Sequence, residues 1–186
     1  MNVSIIGSGS WATALAKIVM HNTTDIYWHI RRQEVIDEFV EIRRNPNHLE
    51  WAYFDVSRIH FSADINRVID ESDLIVLAIP SPYLKQSLND ITVDMSQKMV
   101  ISAVKGMIPD ENLLVTEYMH QHFNIPMENL GVIAGPCHAE EIALERLSYL
   151  TVGCKDIVRA REWSKLFDTP YVRTTPSNDV EGLEYA

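Results

Sequence analysis

Cysteine is scarce in this 186-residue chain. Cys137 and Cys154 are the two it has, too few for a disulfide framework, and they point to a reducing, cytoplasmic setting. Positive charge is also in short supply, with 16 Lys and Arg against 26 Asp and Glu and a formal net charge of −10. A nucleic acid or an anionic membrane surface needs a basic face, so neither is expected as a partner. No apolar run approaches the roughly 20 residues of a membrane span. The first strand is read as beginning at residue 2 or 3, so no signal peptide is expected. Repeats, linkers and low-complexity tracts are missing too. What remains is an ordinary globular composition, 46% hydrophobic and 23% charged,.

The most informative stretch lies at the start. Val3-Ser4-Ile5-Ile6 reads as a short buried strand, Gly7-Ser8-Gly9-Ser10-Trp11-Ala12 follows at once, and residues 13–19 read as a helix. This is G-x-G-x-x-A in a strand–turn–helix setting. Gly7 permits the tight turn, Gly9 lets the backbone approach a pyrophosphate, and Ala12 lets the helix close on the strand. The helix N-terminus offers unpaired N–H groups and a positive dipole end to phosphates. The pattern predicts a dinucleotide-binding site.

Beyond it the chain alternates. Strands are expected at 25–30, 58–61, 74–79, 99–104, 130–134, 149–153 and 171–174. Helices are expected at 33–44, 64–71, 83–88, 112–123, 138–145 and 157–167. Asn45-Pro46-Asn47-His48 breaks the second helix and opens an irregular loop,. The run at 74–79 is continuously apolar, as a strand covered on both faces should be. Alternation of this kind predicts an α/β fold, a Rossmann-like, doubly wound, mostly parallel sheet. Residues 177–186 have no partner element in this reading. The division expected is a dinucleotide-binding domain over 1–178, with 179–186 starting a helical substrate domain whose remainder, on the order of 100 residues or more, is not in this sequence.

In such sheets ligands sit at the carboxyl ends of the strands. The loops Gly7–Ala12, Arg31-Arg32, Pro80-Ser81-Pro82, Lys105-Gly106-Met107 and Gly135-Pro136-Cys137 leave strands there and should converge on one crevice. An NAD-selective site places Asp or Glu at the end of strand two, roughly 20 residues past the glycines. Arg31 and Arg32 stand there instead, and guanidinium forks suit a 2′-phosphate, which favours NADP(H) over NAD(H). Lys105 at a strand's carboxyl end can hold a phosphate or polarise a carbonyl oxygen. Cys137 at a helix N-terminus would have a lowered thiol pKa. Its neighbour His138 is poorly placed as a base, so a capping or ligand contact is the better reading. His120 and His122 diverge on a helix and no metal site is expected. Tyr27, Trp28 and Trp163 read as core.

Several motifs occur in one order: 7–16, Trp28 with Arg31-Arg32, Asn45-Pro46-Asn47-His48-Leu49, Ile79-Pro80-Ser81, Lys105-Gly106, Gly135-Pro136-Cys137-His138-Ala139-Glu140-Glu141, and Asp179-Val180-Glu181-Gly182-Leu183-Glu184. Together they resemble the bacterial NAD(P)-dependent glycerol-3-phosphate dehydrogenases. That resemblance implies reduction of dihydroxyacetone phosphate to sn-glycerol 3-phosphate for phospholipid synthesis, in a cytoplasmic homodimer. It implies that Gly7, Gly9, Ser10, Trp11, Ala12, Arg31, Arg32, His48, Pro80, Lys105 and Ala139 contact NADP(H) or NAD(H). It also implies that Lys105, Gly135 and Cys137 line the substrate site. The family usually has Gly where Ala12 stands, Tyr-Leu-Pro where His48-Leu49-Glu50 stands, and Ser or Thr where Cys137 stands. A thiol is a weaker donor than a hydroxyl. The family's acid/base lysine would lie a few residues past Ala186, so the chain is expected to bind coenzyme and to be inactive alone. The alternatives are a non-catalytic NADPH-binding sensor module and a different Rossmann hydroxyacid dehydrogenase.

Overall fold

A computed structural model describes residues 1–109 and 111–185. Strands and helices alternate in chain order: β1 (Val3–Ile6), α1 (Ser10–Asn22), β2 (Ile26–His29), α2 (Gln33–Ile42), β3 (Ile59–Ser62), α3 (Ile65–Asp70), β4 (Leu74–Leu77), α4 (Ser81–Leu88), β5 (Met99–Ser102), α5 (Val115–Phe123), β6 (Leu130–Ala134), α6 (Ala139–Ala143), β7 (Ser148–Cys154), α7 (Ile157–Phe167), β8 (Val172–Ser177) and α8 (Val180–Tyr185). They build one eight-stranded sheet of order β3-β2-β1-β4-β5-β6-β7-β8. Pairing from β3 through to β6 is parallel. β7 runs antiparallel to β6, and β8 returns parallel to β7. The expected doubly wound, mostly parallel sheet is present.

β1 and β4 are buried at every residue, because helices cover both faces and no polar alternation is tolerated. One core lies under α1, α2, α6 and α7, with Trp28, Trp163, Phe39 and Phe167 fully buried. The other lies under α3, α4 and α5. Trp28 meets Phe39 and Phe54 edge-on and stacks on Phe61. The order reverses between β1 and β4, so the loops that follow them part to opposite faces and leave a crevice. No helix among the described residues is long and apolar enough to cross a membrane.

Element ends differ from the sequence expectation for local reasons. α4 begins at Ser81 rather than 83, since Pro82 in the first turn has no N–H to lose there,. α5 begins at Val115 rather than 112. Asn112 takes a left-handed φ of 52° and Ile108 bridges Leu113, so the chain is still turning there. The expectation that residues 177–186 lack a partner element is corrected. β8 runs to Ser177, the Asp179 carboxylate accepts from the Gly182 N–H at 2.9 Å, and α8 packs on β6 and β7. Val180 is buried, and the Glu184 carboxylate accepts from the N–H and the hydroxyl of Thr116. Ala186 lies outside the described residues. A six-residue helix with Val180 and Leu183 as its apolar contacts is too short to announce itself by periodicity.

Candidate coenzyme site

The loop from β1 to α1 turns at Gly7, whose φ is +127°. A Cβ there would lie 2.4 Å from the Ala78 carbonyl oxygen, so the turn admits no side chain. Gly9 is different. Its φ of −76° and ψ of −179° are open to any residue, and a Cβ there would have nothing within 4 Å. The fold does not require glycine at position 9, whereas a group lying against the backbone would. Ala12 is fully buried where α1 closes on the sheet.

The three carbonyls of this turn are each held by a protein donor. Trp28 Nε1–H donates to Gly7 O at 2.7 Å, Asn45 Nδ2–H to Ser8 O at 2.9 Å, and Thr13 Oγ1–H to Gly9 O at 2.9 Å. In a trans peptide the N–H points opposite to the C=O. Fixing Gly7 O, Ser8 O and Gly9 O toward the protein therefore aims the N–H groups of Ser8, Gly9 and Ser10 the other way. The N–H groups of Ser10, Trp11 and Ala12 have no intrahelical acceptor, being in the first turn of α1. The result is a cluster of outward amides at the positive end of a 13-residue helix, a seat for a diphosphate.

A cleft of about 440 Å³ opens beside these amides. Gly7, Ser8 and Gly9 form its floor. Its walls come from the ends of β2, β3 and β4 and from one side of α4, and they include His29, Arg31, Asp64, Pro80 and Asp90. Arg31 is exposed and lines the cleft. Arg32 is not in the lining; it caps α2 and faces Glu34, with Nε 3.8 Å from the carboxylate. His29 is buried, and burial lowers its imidazole pKa, with Arg31 lowering it further against the opposing pull of the Ala63 backbone, Asp64 and Asp90. Ser10 Oγ and His48 Nδ1 are 3.2 Å apart, so the loop after α2 reaches the first turn of α1. Trp11 is half-buried on the core beside them.

The remaining predicted residues lie along the same sheet edge but outside this cleft. Lys105 is exposed in the loop after β5, and Gly106 there has a φ of +81°. The positive charge of Lys105 pulls the Cys137 thiol pKa down. Burial nonetheless raises the Cys137 pKa, outweighing Lys105. The expected lowering is thus corrected: Cys137 precedes the His138 cap and is 7% exposed. A Cβ at Gly135 would lie 2.5 Å from the Tyr149 carbonyl oxygen, so close contact with β7 alone accounts for that glycine. Ala139 is buried in α6, which packs on α1, and Lys17 ties the two by donating to Ala143 O at 3.0 Å and pairing with Glu145 at 3.1 Å. No cluster of three or more His, Cys, Asp and Glu that could hold a metal is present among the described residues.

Sequence patterning alone did not single out Asn45, Thr13, His29, Asp64 or Asp90 as site residues. Asp64 follows β3 at the same edge as the other loops, which was the available signal. Asn45 gave a helix break and the first position of the Asn45-Pro46-Asn47-His48-Leu49 motif, neither of which assigns it a contact.

The sequence model of the family described as NAD-dependent glycerol-3-phosphate dehydrogenase N-terminus matches residues 2–160. The chain belongs to this family. Glycerol-3-phosphate dehydrogenase [NAD(P)+] of Exiguobacterium sp. is 27% identical over 186 residues, covering 99% of this chain and 54% of the relative. That of Bacillus pumilus is 29% identical over 184 residues, covering 98% and 53%. Among solved structures, a glycerol-3-phosphate dehydrogenase of Plasmodium falciparum superposes with a TM-score of 0.85 at 28% identity, covering 97% of this chain and 53% of that one. The enzyme of Coxiella burnetii has the same fold, with a TM-score of 0.85 at 19% identity, covering 98% and 55%. The chain spans about half the length of the curated relatives it matches.

Proposed function

We propose that this chain is the coenzyme-binding part of an enzyme that reduces dihydroxyacetone phosphate to sn-glycerol 3-phosphate with NADPH or NADH. The observation that carries the reading is the Gly7–Ala12 turn, with its carbonyls tied back and its amides turned to a cleft that a Cβ at Gly9 would enter. The amides of Ser8 to Trp11 hold the diphosphate. Arg31, and Arg32 after a side-chain rotation, meet the 2′-phosphate of NADPH, while Ser10, Trp11, His48, Pro80 and Ala139 border the dinucleotide. The coenzyme supplies a hydride. Lys105 orients the ketone and stabilises negative charge developing on its oxygen, and Gly135 and Cys137 border the substrate. Cys137 acts as a neutral thiol, in keeping with its raised pKa. The proton for that oxygen comes from a lysine in the half of the relatives that this chain does not match. The division at 178/179, a homodimeric cytoplasmic enzyme, and the absence of nucleic-acid or membrane partners belong to the same proposal.

Isothermal titration of these 186 residues with NADPH and NADH tests the coenzyme half, and binding of NADPH tighter than NADH is expected. NADPH oxidation with dihydroxyacetone phosphate tests the reaction. This chain alone should give no turnover, and the chain joined to a relative's C-terminal half should give turnover with this ketone and not with 2-keto acids. Failure to bind either coenzyme would overturn the proposal.

A further inference from the structure

We propose that Asn45 is a positioning residue for the diphosphate seat, acting through the peptide planes of the glycine turn; this rests on the coenzyme-binding reading above. Asn45 sits just past α2, 37 residues from Ser8, and is 1% exposed. Each of its polar contacts has an assigned direction. Nδ2–H donates to Ser8 O at 2.9 Å and to Thr13 Oγ1 at 2.8 Å, and Oδ1 accepts from the Asn47 N–H at 3.0 Å. Turning the amide over would set oxygen against a carbonyl and nitrogen against an N–H, so the backbone partners fix its orientation. Thr13 Oγ1, having accepted from Asn45, gives its own proton to Gly9 O.

The relay controls direction rather than only filling space. The Ser8 carbonyl and the Gly9 N–H share one planar peptide, and the Gly9 carbonyl and the Ser10 N–H share the next. Holding both carbonyls inward leaves the Gly9 and Ser10 amides no orientation except toward the cleft. Trp28 does the same for the Ser8 amide from the other side. Asn45 also folds its own loop back through Asn47, the residue directly before His48, whose Nδ1 meets Ser10 Oγ. One buried amide thus orders both the phosphate-facing backbone and the loop that borders it. A side chain serving only to cap α2 would have no reason to reach Ser8.

The test compares two ligands on the full chain: NADPH, which carries a diphosphate, and 2′-AMP, which carries the adenosine 2′-phosphate and no diphosphate. In Asn45→Ala the Kd for NADPH should rise at least tenfold while that for 2′-AMP stays within twofold. Asn45→Asp should lose more, since it removes the donor and adds negative charge beside the diphosphate. Thr13→Val keeps the volume and removes the hydroxyl, so it should show the same selective loss without depending on whether the Asn45 variants fold. Thr13→Ser keeps the hydroxyl and should restore NADPH binding. Equal losses for both ligands, or an unchanged NADPH Kd in a folded Asn45→Ala or Thr13→Val protein, would overturn the proposal. If the unaltered chain binds 2′-AMP but not NADPH, the diphosphate seat itself is refuted; if it binds neither, the coenzyme reading fails first.

Discussion

Replacing Gly9 by Val separates the demands of folding from those of binding. The backbone at Gly9 has ordinary extended angles and a Cβ meets nothing within 4 Å. Two small effects oppose each other in the folded protein. A glycine in a permissive conformation loses extra chain entropy, worth about 0.5–1 kcal/mol. A branched apolar residue is a poorer N-cap than glycine, by roughly 0.5–2 kcal/mol. The net change should be no more than about 1.5 kcal/mol, a Tm shift of at most about 3–6 °C for a domain of this size. The cost falls on the ligand. A side chain in the cleft would displace a diphosphate from the Gly9 and Ser10 amides. Each charge-assisted hydrogen bond lost is worth about 1.5–3 kcal/mol. Losing two raises Kd by about 10²–10⁴-fold. Gly7→Ala is the opposite control: its left-handed backbone costs about 1–3 kcal/mol for a side chain, and the 2.4 Å approach to Ala78 O adds more, so it should lower Tm by about 10 °C or fail to fold. The assay is thermal unfolding by circular dichroism beside NADPH titration by coenzyme fluorescence. Retention of NADPH affinity within threefold in Gly9→Val, or a loss of stability matching that of Gly7→Ala, would refute the reasoning.

Arg31 lines the cleft and Arg32 does not, so Arg31→Ala should raise the Kd for NADPH about 10–100-fold, the loss of one charged pair, and that for NADH less than threefold; equal losses in titrations with the two coenzymes would count against a 2′-phosphate contact. His29 has its pKa lowered from an ordinary 6.5, chiefly by burial. The unfolded chain therefore takes up its proton first, and stability present above pH 6.5 is lost as pH falls toward the folded-state value. The drop in Tm between pH 7.5 and 5.5 should be smaller in His29→Gln than in the unaltered chain, and identical drops would remove His29 from the account.

Much of the fold was legible because the elements differ in how loudly they speak. Leu74–Leu77 is apolar without interruption and lies where the doubly wound pattern needs its central strand,. The glycine turn combined a motif with strand and helix flanks, and Gly7 has the positive φ that the motif demands. The site was legible where a residue type has few structural uses, as with Arg31 at the end of a strand. It was illegible where the candidate site rests on a hydrogen bond between distant positions. Nothing in the string sets Asn45 against Ser8, because two helices and a strand must form before they meet. The same holds in reverse for Gly135. Its motif suggested a ligand contact, whereas the packing against Tyr149 gives a reason for the glycine that needs no ligand. Cys137 shows how a local rule yields to burial: a helix start favours a thiolate, but its 7% exposure removes the water that a thiolate needs,. The two glycines of the turn thus divide the labour. The fold requires glycine at position 7 and leaves position 9 open, so under the proposed function only the second carries information about a ligand.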